Sequence, residues 1–277
     1  MKIGVVTRSF GELTNEQTAD FLARNGFVCT ELCFSQTDSK FFVYNGRSDL
    51  SEMTDARSRE IVATYRSRGI EVAALGVFTN LIDPDDAERA ANLAYYDRMI
   101  ALAALNGIPF VSTECGFIRG RRGIDADRYE AAFELLADSL AHLAEQAEQH
   151  DVCIALEPCV LDVVPSAKRT ADLLAQLGSD RVKILLDPAN LIANSSEEDM
   201  FRYLAEHIAY FHGKDRKLND ARGRALGDGD IDWPLFLSLY HRDTEGTPFI
   251  LEYVKSADAC EVRDRVLQAD GASEGTH

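Results

Sequence analysis

The chain has 277 residues, 46% of them apolar, so one large domain with a sizeable core is possible, and no apolar stretch approaches the ~18 residues of a membrane span. A formal charge of -17 argues against a nucleic-acid partner, because phosphate recognition needs clustered Lys and Arg. Six cysteines without a CxxC pair, and a charged start over 1–10 that does not read as a secretory signal, are expected of reduced thiols in a cytoplasmic protein.

Short apolar runs alternate with amphipathic helical patterns along the chain. The first strand is expected over 3–7 and the first helix over 15–25, with Phe21 and Leu22 inward and Gly26 as its stop. A second strand follows over 28–34. The segment 35–51 is long, polar and glycine-bearing, yet carries Phe41, Phe42 and Tyr44, which marks it as a lid over a site. A helix over 54–68 ends at Gly69, a strand covers 70–77, and a long alanine-rich helix covers 84–106. The strand 110–114 leads into a loop with a basic knot, Arg119, Arg121 and Arg122, then a helix over 125–150. Strand five covers 152–158, after which Ser166 caps a helix that Gly178 ends. Strand six covers 182–190, a helix runs from Ser195 or Ser196 through 207, and strand seven covers 208–216. A glycine- and charge-rich loop spans 217–233, and a short helix covers 233–240. The eighth strand covers 248–254 and the last helix 257–268, with a disordered tail over 270–277.

The eight runs are continuous rather than alternating, as in parallel strands covered on both faces. Eight strand–helix units with no composition shift between them predict a single (β/α)8 TIM barrel over residues 1–277. No GxGxxG follows the first strand, so a dinucleotide fold lacks its signature.

Four consecutive strands each end on a metal-compatible side chain. These are Glu157 in V-C-I-A-L-E-P, Asp187 in V-K-I-L-L-D-P-A-N, His212 in I-A-Y-F-H-G-K-D-R and Glu252 in P-F-I-L-E-Y-V. Catalytic groups of such barrels collect at the carboxyl ends of the strands. Each acid alone reads equally as a helix cap or a solvated charge. Four in succession at the ends of apolar strands are costly to bury unless paired or metal-bound. Three carboxylates and one imidazole suit one divalent cation, Mn²⁺ first, with Mg²⁺, Co²⁺ or Zn²⁺ compatible.

Together, L-E-P, L-D-P-A-N, H-G-K-D-R, G-D-G-D-I-D-W at 227–233 and I-L-E-Y resemble the xylose-isomerase-like TIM barrels, in the branch of sugar (phosphate) isomerases and epimerases. The resemblance covers nearly the whole chain. It implies that Glu157, Asp187, His212 and Glu252 bind the metal, and that Glu157 and Glu252 flank a small sugar substrate as catalytic acid/base partners. A cation on a carbonyl and an adjacent hydroxyl acidifies the neighbouring C–H. One glutamate then takes that proton to give a stabilised enediolate. The other returns it, on the opposite face in an epimerase or on the adjacent carbon in an isomerase. A lyase on the same scaffold, an inosose-type dehydratase or a C-glycoside-cleaving subunit, shares the first step. A sugar-binding subunit does not need two opposed bases. The DNA-repair nuclease branch uses several extra histidines, whereas this chain has six in all and none ends strand three or four. Homo-oligomers are common in the family.

Two departures from the ketose 3-epimerases bear on specificity. Asn190 stands where they carry histidine, and 160–164 is largely apolar where they place a substrate-contacting acid. Lys214 and Arg216 either contact substrate oxygens or pair with acidic neighbours. Glu114 either faces the mouth or is a structural acceptor. Arg119, Arg121 and Arg122 form an anion site or a solvated loop. Phe10, Phe78 and Trp233 either wall the sugar or belong to the core, and Cys33 and Cys115 read as packing residues.

Overall fold

In the computed structural model, which describes residues 1–118, 120 and 123–273, eight parallel strands close into a (β/α)8 barrel. They are β1 (Lys2–Val6), β2 (Cys29–Leu32), β3 (Glu71–Gly76), β4 (Phe110–Glu114), β5 (Cys153–Glu157), β6 (Val182–Leu186), β7 (Ile208–Gly213) and β10 (Pro248–Leu251). The barrel closes where Ile3 of β1 pairs with Phe249 of β10. Between β7 and β10, β8 (Asp215–Arg216) and β9 (Gly223–Arg224) form an antiparallel ribbon. The helices are α1 (Asn15–Arg24), α2 (Asp55–Arg66), α3 (Asp86–Leu105), α4 (Tyr129–His150), α5 (Ala167–Leu177), α6 (Pro188–Leu191), α7 (Glu197–Leu204), α8 (Trp233–Thr244) and α9 (Ala259–Ser273). Among the described residues no helix is long and apolar enough to cross a membrane.

Strand parity builds two apolar layers. Val6, Cys29, Ala74, Ala155, Leu185, Tyr210 and Ile250 form the cluster inside the barrel. Their neighbours Ile154, Leu156, Ile184, Leu186, Phe211, Phe249 and Leu251 pack outward against the helices. Both faces are buried, which is why the runs are continuous. Each fully buried leucine of the outer layer contributes about 1.5–3 kcal/mol. Side chains alternate along a strand. Glu157, Asp187, His212 and Glu252 each stand two residues past an interior residue, at Ala155, Leu185, Tyr210 and Ile250. They are therefore carried to the carboxyl end of the interior.

Local signals place the helices. Thr14 and Gln17 form a capping box at α1. Ser166 accepts from the Arg169 amide at α5, and Gly178 ends it in the left-handed conformation at φ 59°. Ser196, not Ser195, caps α7; Ser195 Oγ accepts from the Ala167 amide instead.

Several boundaries differ from the sequence expectation. Strand six stops at Leu186, because Pro188 has no N–H for the ladder and opens the single turn α6. The loop 217–233 contains β9, and α8 continues to Thr244. Residues 270–273, expected in a disordered tail, belong to α9, where Asp270 Oδ1 lies 2.6 Å from His241 Nε2 of α8. The basic knot of Arg119, Arg121 and Arg122 and the stretch 274–277 lie outside the described residues.

Candidate metal centre

Glu157, Asp187, His212 and Glu252 each present one ligand-type atom, and the four atoms lie within 4.8 Å of one another. Ligands placed opposite one another at ~2.2 Å from a cation would be ~4.4 Å apart, so the four atoms would need to close by ~0.4 Å at most around one ion. All four residues are buried. Each leaves one polar atom without a hydrogen bond: Glu157 Oε2, Asp187 Oδ2, His212 Nδ1 and Glu252 Oε2. Their other atoms are engaged. Asn190 Nδ2 donates to Glu157 Oε1 at 2.8 Å, and the Ala189 amide donates to Asp187 Oδ1 at 2.9 Å as α6 begins. Arg8 grips Glu252 Oε1. Buried polar atoms are normally paired. These four atoms converge from four strands, two of them within 2.8 Å of the Lys214 ammonium, in a cradle that could hold a hard or borderline divalent cation.

The fifth member of the centre escaped the sequence reading. Glu31 on β2 is fully buried, with Oε2 2.7 Å from the Tyr210 hydroxyl and 2.8 Å from His212 Nε2. A carboxylate on the far nitrogen of a ligating histidine fixes its tautomer and aims the other nitrogen at the metal. Gly76 makes room for it, since a Cβ there would stand 2.4 Å from Glu31 Oε1. The one signal available was a charged residue two places after Cys29 inside an apolar strand. Replacing Glu31 by Gln is expected to lower metal affinity ~10–100-fold, the usual effect of losing such a partner. Isothermal titration with Mn²⁺ measures this, and an unchanged affinity would remove Glu31 from the centre.

Charge organises the cluster. Burial pushes the Glu157 carboxyl up, but Lys214, His212 and Arg8 together pull it the other way and hold it below the usual carboxylate range. Burial raises Asp187 to about 6 against the pull of Lys214, with Glu157 adding to the rise. For His212 burial acts downward, yet Glu31 and Glu157 carry it to about 9. Lys214 Nζ lies 2.6 Å from Asp187 Oδ2 and 2.8 Å from Glu252 Oε2, close enough to neutralise them. Arg216 Nη2 donates to Asn190 Oδ1 at 3.1 Å. Asn190, in the position expected of a histidine, thus bridges Glu157 and Arg216.

Asp215 explains the spacing between H-G-K-D and G-D-G-D-I-D-W. Its carboxylate accepts from the amides of Arg216, Gly227 and Ile231 and from Trp233 Nε1, the last at 2.8 Å. Trp233 packs on Phe236 and Phe249 with centroids 5.4 and 6.1 Å away. It is therefore a structural clamp that holds the segment carrying Lys214 and Arg216, and it does not wall the cavity.

Beside this cluster lies a cavity of about 600 Å³, lined by Arg8, Tyr44, Glu114, Asp162, Asn190, Lys214, Arg216, Glu252 and Tyr253 among others. Phe10 does not reach it. Its ring packs 5.1 Å from Phe21 between barrel and α1, and Arg8 of the same turn points to the site instead. Phe78 lies beneath Arg8, ring centroid 4.8 Å from the guanidinium carbon, and supports it rather than lining the cavity. The stretch 160–164 is less apolar than its sequence suggests at the site, because Asp162 faces the cavity; burial, then Glu114 and Glu157, push its carboxyl well up. Cys33 and Cys115 are buried free thiols.

The 35–51 segment lies over this mouth. Tyr44 OH is 2.6 Å from Glu114 Oε1, and its ring centroid is 5.7 Å from that of Phe78. Phe42 meets Phe78 edge-on, and Phe41 packs on the core. Changing Phe41, Phe42 and Tyr44 to Ala is expected to raise KM with a smaller change in kcat. Steady-state kinetics on the true substrate test this, and an unchanged KM would show the segment is no lid.

The sequence model of the xylose isomerase-like TIM barrel family matches residues 19–271. No curated protein matches by sequence. Among solved structures, the IOLI protein with a binding zinc atom is 18% identical, with a TM-score of 0.75, covering 100% of this chain and 99% of that one. The 3-keto-D-glucoside 4-epimerase YcjR from E. coli is 14% identical, with a TM-score of 0.78 over 97% of this chain and 99% of its own. D-psicose 3-epimerase from Clostridium cellulolyticum H10, solved with D-tagatose, is 18% identical, with a TM-score of 0.71 over 99% and 96%. At these identities the likeness is one of fold.

Proposed function

Because the chain belongs to the xylose isomerase-like TIM barrel family, we propose that it is a divalent-metal-dependent isomerase or epimerase that moves a proton beside the carbonyl of a small sugar or sugar phosphate. The observation that carries this reading is the paired state of Glu157 and Glu252. Each has one oxygen anchored, by Asn190 and by Arg8 respectively, and the other without a hydrogen bond. They arrive from β5 and from the end of β10, with Asp187 and His212 between them in strand order.

A bound cation would supply Lewis-acid polarisation of the carbonyl, and the donor set favours Mn²⁺. The chain's own groups do the rest. Glu157, which burial pushes up but Lys214, His212 and Arg8 hold ionised before any cation enters, would take the proton from carbon. Glu252, oriented by Arg8, serves the opposite side. Arg8 is itself fixed by stacking on Phe78 and Tyr44, at 4.8 and 5.3 Å. Tyr44 and Tyr253 wall the mouth and restrict water. Asn190, Lys214, Arg216 and Glu114 meet substrate oxygens.

The test is incubation in D2O with Mn²⁺ and a panel of ketoses, aldoses, their phosphates and inososes. Deuterium on carbon in a product of unchanged composition is expected. A product lighter by water, or split, assigns a lyase. No exchange with any member overturns the reading.

A further inference from the structure

Lys214 stands where the cation belongs. Its ammonium is 3.5 Å from Glu157 Oε1, besides its close approach to Asp187 and Glu252. The side chain is buried, and it lines the cavity, whereas Glu157, Asp187 and His212 are buried and do not line it. A cation held by those carboxylates at ~2.2 Å would face the ammonium across a few ångströms of buried space, where like charges repel strongly. The two positive groups therefore exclude one another. A lysine has the flexible stem to swing away, and the cavity lies beside it.

Arg216 waits beside that path. It is 6% exposed and lines the same cavity. Its Nε and Nη1 have no hydrogen-bond partner, and its Nη2 donates to the neutral amide of Asn190. A buried guanidinium without a counter-charge is costly. A displaced ammonium arriving nearby would set two cations side by side in a cavity that Glu114 and Asp162 also line.

We propose that metal entry displaces Lys214 from the ligand cluster into the cavity, where Lys214 and Arg216 together receive an anionic group, carboxylate or phosphate, of the substrate. This rests on the metal-dependent reading above and narrows its substrate to acidic sugars. Metal and anion both favour the displaced lysine, so each tightens the binding of the other by the same factor.

Calorimetric titration with Co²⁺ tests this, in chloride and with sulfate or acetate replacing chloride at equal ionic strength. Sulfate probes a tetrahedral anion and acetate a planar one. In the wild type at least one of them is expected to tighten Co²⁺ binding ~5-fold or more, the lower end of ordinary coupling. Lys214→Met should bind Co²⁺ about tenfold tighter in chloride, the gain expected if the lysine fills nine-tenths of the sites. Its metal-free form should melt below the wild type. Arg216→Gln should keep the affinity in chloride and lose the anion effect. Equal Co²⁺ affinity in Lys214→Met and wild type, with metal bound in both, overturns this inference alone. So does a wild type indifferent to both anions, or an undiminished anion effect in Arg216→Gln. If Lys214→Met does not fold, the wild-type and Arg216→Gln arms still decide. Failure of the wild type to bind Co²⁺ at all overturns the metal-dependent reading and this inference with it.

Discussion

Replacing Glu157 by Gln, and separately Glu252 by Gln, is expected to lower turnover of the identified substrate ~10²-fold or more, the usual scale of general acid–base catalysis. Glutamine keeps the shape and one oxygen donor but cannot accept the proton. The two glutamates are suited to this substitution because their anchoring contacts differ. The single carbonyl oxygen of each glutamine can meet its anchoring donor, Asn190 or Arg8, or the cation position, but not both. Metal content is measured on each variant in parallel, since loss of the ion would mimic loss of the base. Substrate C–H exchange with solvent deuterium separates the two roles. The variant lacking the first base should abolish exchange, while the variant lacking the second should retain more exchange than net conversion. If both variants hold metal and exchange at the wild-type rate, the two-glutamate mechanism is wrong for this protein.

Protein purified without chelator is expected to carry about one divalent ion per chain, and chelation should lower its melting temperature substantially. Metal at ~1,000 times its Kd stabilises the folded state by about 4 kcal/mol. At roughly 2–4 °C per kcal/mol for a domain of 150–250 residues, that shifts the melting temperature by ~8–16 °C. Affinity should also rise with pH. His212 in the metal-free protein titrates at about 9, above its ordinary value, so metal binding must release its proton. A histidine raised on folding stabilises the metal-free form fully below its unfolded pKa near 6.5 and ceases to do so as pH passes about 9. The metal-free protein therefore loses this contribution across the window in which metal binding strengthens. Scanning calorimetry with and without Mn²⁺ between pH 6.5 and 9.5 measures both trends. A melting temperature indifferent to Mn²⁺ and Co²⁺ at every pH would leave the cluster without a metal role.

The residues themselves determined the barrel and the direction from which the site is built. Continuous apolar runs of strand length, separated by capped amphipathic helices, leave a parallel closed sheet as the arrangement that buries both strand faces. Glu157, Asp187, His212 and Glu252 were readable because each ends such a run, and alternation along a strand carries the end residue inward when the residue two before it is interior. The cap Ser166 and the stop at Gly178 were readable because they act within one turn of chain.

Only the tertiary structure decided which distant groups meet. Glu31 touches His212 from 181 positions away, a contact that exists because the barrel closes. Arg8 rather than Phe10 enters the site, because the single turn Thr7–Phe10 after β1 sends one side chain over the interior and the next aromatic against α1. Asp162 faces the cavity from a stretch whose composition is largely apolar. Trp233 meets Asp215 and not the cavity, since a buried indole N–H needs an acceptor and the carboxylate of H-G-K-D supplied it. Lys214 was readable as a neighbour of acids, but its place among the carboxylates of Glu157, Asp187 and Glu252 followed from the convergence of β5, β6 and β10 on one point. Local chemistry is written in the order of residues. Long-range electrostatics is set by closure, which brings opposite sides of the sheet within ångströms.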